Sequence, residues 1–123
     1  MIDAMEAVIA CLEAIDALKG RVYRAWPQKS VKGTAALVIR LSRQVETVAW
    51  DGSELAVRST YSINLLGESL ETLDALEEQV TDAMASMDLH ATSAGPYLVE
   101  STNLYRISII VSGGMDIRGN VYS

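Results

Sequence analysis

Two apolar alternations that meet across an Asp-Gly tip limit what this chain can fold into more than any other feature. From Leu37 the apolar residues recur as Leu37, Ile39 and Leu41, then Val45; beyond Asp51-Gly52 they resume as Leu55, Val57, Tyr61, Ile63 and Leu65. A period of two marks half-buried strands, and Asp-Gly between two such runs marks a hairpin. A two-residue turn would pair odd positions with even ones and send the two apolar sets to opposite faces. A three-residue loop, Trp50-Asp51-Gly52, with Gly52 left-handed as a bulge, keeps them together. It predicts the pairs Val45–Val57, Leu41–Tyr61 and Ile39–Ile63. Arg40, Gln44, Glu46, Glu54, Arg58 and Asn64 then share the other face, with Gln44 opposite Arg58. A sheet that is apolar on one side needs helices on that side.

The rest of the chain supplies two. Ile2, Met5, Val8, Ile9, Leu12 and Ile15 form a helical stripe over 2–18, stopped by Gly20. The reverse face holds Ala7, Ala10, Ala14 and Ala17, which suits either a good helix former or a face set against something else. Ser69 caps a second helix running to about Met87, with Leu70, Leu73, Leu76, Val80, Met84 and Met87 on one side. Glu71, Asp74, Glu78 and Asp82 lie opposite, and Glu77 falls at the edge of the stripe, where a carboxylate needs a partner. Short strands are expected at Val22–Trp26, closed by Pro27, at Tyr97–Ser101 and at Leu104–Ser112. Gly113-Gly114 then turns the chain into a tail over 113–123 that is flexible or ordered only in an assembly. The expectation is one α+β domain over 1–123 in the order α-β-β-β-α-β-β. Its mainly antiparallel sheet of about five strands carries two helices on one face.

Composition narrows the function. The chain has 123 residues, a net charge of −6 and 50% hydrophobic residues, which suits one domain with its own core. Such acidity argues against a nucleic-acid module. The longest stretch free of Asp, Glu, Lys and Arg is 11 residues, from Leu89 to Val99, too short for a spanning helix, so no membrane partner is expected. One cysteine, Cys11, and no basic N-terminal leader point to a protein made in a cytoplasm.

Chemistry is sparse. His90 is the only histidine and falls in a loop-like stretch, and no Gly-x-Ser-x-Gly elbow accompanies it. Cys11 reads as a small core residue, and Cys11 with His90 is too few ligands for zinc. Gly113, Gly114 and Gly119 make no phosphate loop, because no Gly-Lys-Ser/Thr follows. Asp74, Glu78 and Asp82 at helical spacing read as a solvated face. No catalytic residue, cofactor or metal site is expected, and the chain is not read as an enzyme.

Charge order says more than net charge. Residues 17–45 carry +7 with no acid, residues 1–16 carry −4, and the remainder carries −9. Between Glu68 and Asp82 there are six carboxylates and no base. A basic block and an acidic helix on one small domain suit head-to-tail pairing between copies, or pairing within the chain, or two solvated patches.

The helix leading into Arg21-Val22-Tyr23 and Pro27, the long hairpin tipped by Asp51-Gly52, the strand Tyr61-Ser62-Ile63, the acidic helix from Glu68 and a last strand pair at Tyr97 and Tyr105 come in a telling order. Order and size together resemble the tail terminator, or tail completion, proteins of long-tailed bacteriophages and related prophage minor tail proteins. The resemblance covers nearly the whole chain through element order rather than any single motif.

It implies a hexameric ring of self-copies that caps the tail tube and joins it to the head-side connector. DNA would pass through the lumen without specific binding, in a virion assembled in the host cytoplasm. Arg21, Arg24 and Lys29 are expected to meet Glu71, Asp74, Glu77 and Glu78 of the next copy. Lys32, Trp50, Asp51, Met115 and Arg118 are expected to face the tail tube protein or the connector. A small cytoplasmic ligand-binding or enzymatic α+β domain is the alternative, and a free-standing regulatory adaptor a third.

Overall fold

A computed structural model describes residues 5–24, 34–99, 104–118 and 120–122. The element order is α1 (Met5–Glu13), a 3-10 turn (Asp16–Leu18), β1 (Val22–Tyr23), β2 (Ala35–Val48), β3 (Glu54–Gly67), α2 (Leu70–Ser86), β4 (His90–Val99), β5 (Leu104–Asp116) and β6 (Val121–Tyr122). The six strands form one sheet in the order β1-β2-β3-β5-β4, and β6 pairs with β5 beyond the start of β4. The α+β class is as expected. The sheet is mixed rather than simply antiparallel, because β1 runs parallel to β2, and it gains a sixth strand.

The hairpin loop is the expected one. Gly52 N–H donates to the Ala49 carbonyl, Ala49 N–H donates to the Ser53 carbonyl, and Gly52 has φ +92°. Val45 faces Val57 and Gln44 faces Arg58. Farther from the tip the expected register fails. Val38, not Ile39, stands opposite Ile63, and Arg40, not Leu41, stands opposite Tyr61. A bulge between Arg40 and Ser42 absorbs one residue and reverses the alternation, since directly paired residues share a face. Ala36 and Val38 therefore enter the main core, and Leu41 is left exposed. Arg40, expected on the polar face, lies in the helix-facing row of Tyr61 and Val111.

The main core lies between that face and the helices. Val8 and Leu12 of α1, Leu18 of the 3-10 turn, and Leu73, Leu76, Val80 and Met84 of α2 close over Tyr61, Ile63, Leu65, Ile107, Ile109 and Val111. Each such side chain contributes about 1.5–3 kcal/mol when fully buried. The first helix is shorter than its apolar stripe. Its turn at Asp16–Leu18 still buries Leu18 completely. Leu70, expected in the second stripe, is 39% exposed. The opposite sheet face is not wholly polar either: Leu37, Leu66 and Tyr23 form a second small cluster.

Past Ser86 the chain closes α2 with a Schellman motif. Leu89 N–H donates to the Met84 carbonyl and Asp88 N–H to that of Ala85, with Asp88 at φ 62°. This delivers the chain straight into β4, so His90, expected in a loop, is the first residue of a strand.

Gly113-Gly114 does not turn the chain. Both residues continue β5 to Asp116, opposite Ser59 and Arg58. Their lack of a side chain serves space. A Cβ on Gly114 would sit 2.3 Å from the Tyr122 ring, and one on Gly113 would sit 2.3 Å from a Leu89 methyl. The turn comes later, where Asp116 accepts from the backbone N–H groups of Arg118 and Asn120 and from the Asn120 side-chain amide. Thus 113–116 and 121–122 are strand in the described fold.

Candidate subunit interface

Helix positions decide which surface remains. α1 packs on α2, β1 and β2; α2 packs on β3, β5 and β4. One flank of α2 meets α1, where the Cys11 thiol approaches the Ala83 carbonyl at 3.7 Å. Burial pushes that thiol's pKa up, as suits a packing residue more than a nucleophile. The other flank overhangs β4. There Ser93 Oγ donates to Glu77 Oε1 at 2.6 Å, which gives Glu77 its partner within the chain. Asp74, Glu77, Glu78, Thr81 and Asp82 line a shallow open depression on this flank. Among the described residues, no group of three His, Cys, Asp or Glu is placed to hold a metal ion.

The basic residues expected opposite these acids are engaged elsewhere. Arg24 pairs with Glu6, and Arg21 Nε donates to the Thr34 carbonyl at 3.1 Å. Lys29 and Lys32 lie outside the described residues. Glu71, Asp74 and Glu78 are exposed on α2. Asp74, Glu77 and Glu78 share one flank of α2, and Arg40 and Arg43 stand on the helix-covered side of β2.

Toward the hairpin tip β3 stays paired with β5 as far as Ala56, while β2 has only β3 beside it among the described residues. Trp50 at its tip is 101% exposed, so it does not pack on its own sheet. Leu41, Val45 and Val48 follow along β2 at 55%, 37% and 54% exposure. Asp51 accepts from the Ser53 N–H and hydroxyl, which lower its carboxyl pKa and fix the tip. The β5–β6 turn reaches the same end of the sheet, because Ile117 N–H donates to the Leu55 carbonyl. Arg118 and Ile117 therefore sit, exposed, at the end that carries Trp50. Met115 does not join them at the surface. It is half-buried opposite Val57 and Val121.

A polar lock that the sequence reading missed holds this end together. Tyr122 extends over Gly114, and its hydroxyl donates to Glu46 Oε1 at 2.9 Å. The Arg58 guanidinium lies 5.7 Å from the Tyr122 ring centre and 3.5 Å from Glu46. The Glu46 carboxylate raises the Tyr122 pKa. Its only sequence signal was a Gly pair followed by a tyrosine eight residues on. Comparison with protein-family models gives no match, and comparison with curated proteins gives none either.

Proposed function

We propose that this protein is a structural subunit of a long-tailed phage or prophage virion, acting as a tail terminator: copies close into a hexameric ring that caps the tail tube and joins it to the head-side connector. The observation that carries this reading is the hairpin arm, with Leu41, Val45 and Val48 exposed along β2 and Trp50 exposed at the tip. Large apolar side chains left exposed on both faces of such an arm are costly for a free monomer and useful in an assembly. The element order supports the same reading, as does an acidic helix flank on the far side of the sheet from the arm. Among the described residues Val8, Leu12, Leu73, Leu76 and Val80 pack together between helices and sheet, as suits a scaffold. On this reading the hairpin tip and the β5–β6 turn, with Trp50, Asp51 and Arg118, form one axial face of the ring toward tube or connector. Deleting the gene from the genome that carries it, and imaging the particles by electron microscopy, tests the proposal. Unjoined heads with tails of irregular length are expected, and normally joined virions would contradict it.

A further inference from the structure

The open edges of the sheet identify how copies meet. Among the described residues, β2 pairs with β1 only at Ala36 and Leu37, so from Val38 to Val48 its outer edge has no strand beside it. At the other end of the sheet, β4 has only β5 beside it among the described residues. Unpaired backbone along an edge is a template for another strand, and proteins blunt it unless it is used. The β2 edge is blunted only in part. Irregularities after Arg40 and after Val45 bound a regular stretch, Ser42–Val45, and Leu41, Val45 and Val48 add exposed apolar surface.

We infer that the outer edge of β2 docks beside the outer edge of β4 of a second copy, with Arg40 and Arg43 reaching the acidic flank of its α2. This rests on the ring reading and names the join within it. Direction fits. β2 and β4 run oppositely within one sheet, because three antiparallel steps separate them. Copies related by rotation about an axis along the strands therefore present an antiparallel pair at the join. Faces fit as well. Arg40 and Arg43 stand opposite Tyr61 and Ser59, hence on the helix-covered side. The α2 flank that overhangs β4 is on that same side, as the Ser93–Glu77 hydrogen bond requires. Charge completes the match, with two guanidinium groups facing a depression edged by Asp74, Glu77, Glu78 and Asp82. The edges differ from each other, so the contact is head-to-tail and can close into a ring.

Sedimentation velocity on the full chain tests this with two charge reversals, R40E/R43E and E78R/D82R, each checked for native fold by circular dichroism. Glu77 is left in place because it holds Ser93. Each double variant is expected to weaken self-association at least about tenfold, since acid then faces acid or base faces base. One chain carrying all four changes restores opposite signs and is expected to assemble within about threefold of wild type. If wild type assembles and both double variants assemble equally well, this join is wrong and the ring is built otherwise. Failure of the four-change chain to regain assembly also overturns the join. A wild type that stays monomeric throughout overturns the ring reading itself. E78R/D82R alters only exposed helix positions, so it remains informative if R40E/R43E fails to fold.

Discussion

Asp88 holds a left-handed backbone at φ 62° that an L-side chain tolerates poorly. It does so because the Schellman closure of α2 needs that conformation between Met87 and Leu89. Glycine adopts it without steric cost, although it loses more chain entropy on folding. Asp88→Gly should therefore raise the thermal midpoint by about 2–4 °C, and Asp88→Val should lower it; differential scanning calorimetry on the two variants checks the sign. Gly114 is the reverse case. Here the requirement is room, and Gly114→Ala places a methyl against the Tyr122 ring. A loss of about 1–3 kcal/mol in urea unfolding is expected, as for overpacking elsewhere. Tyr122→Phe keeps the ring over Gly114 and removes only the hydroxyl bond to Glu46, so it should cost less.

At the scale of elements, period-two and helical patterns were readable wherever one face met the core. The second helix, the hairpin loop with Gly52 left-handed, and the helix-facing row Tyr105 to Val111 stood in the chain as plain alternations. The inner register of the hairpin was not readable. A bulge at Leu41 leaves no mark in a sequence where Leu37, Ile39 and Leu41 already alternate correctly for the wrong face. Gly113-Gly114 misled for a related reason: glycine signals a turn and a close approach equally well, and only the position of Tyr122 tells them apart. In the candidate interface, the acids of α2 could be grouped from helical spacing alone. The basic counterparts proposed for them could not, because Arg21 and Arg24 are drawn to Thr34 and Glu6 while the bulge carries Arg40 to the helix side.

The β5–β6 turn, built on the Asp116 carboxylate, should be sensitive to acid. Hydrogen bonds from the Asn120 side chain and backbone, then from the Arg118 N–H, hold the Asp116 carboxyl pKa below its ordinary value. A lowered folded-state pKa means the contribution is present above the unfolded value, about 3.9, and fades as pH falls through the folded one. Amide exchange at Val121 and Tyr122, corrected for intrinsic rates, should quicken between about pH 4 and pH 2. Asp116→Ala should show the faster exchange already at neutral pH and lose the acid transition.

For the whole molecule, the overall charge of −6 conceals an arrangement. Arg40 and Arg43 stand on β2, whose outer edge is open from Val38 among the described residues, and an acidic helix flank overhangs the opposite edge of the sheet. Apolar side chains beyond the core's needs run along the arm to Trp50. On the ring proposal these edges of opposite charge meet between copies, and the arm and the β5–β6 turn are left at one end for a different partner. With the other tryptophan removed by Trp26→Phe, Trp50 gives an optical readout of that division of labour. Its emission should stay that of a water-exposed indole when copies associate through their edges, and shift to the blue only when the axial face is covered.

The claim underneath all of this is that the chain is made to assemble with itself. The mass of the wild-type protein by sedimentation velocity, from about 5 to 200 µM at low ionic strength where charge pairing is least screened, tests it most directly. The account predicts a discrete particle of about six times the 13.3 kDa chain mass, which salt reverses toward monomer. A single species of one-chain mass across the whole range would contradict it.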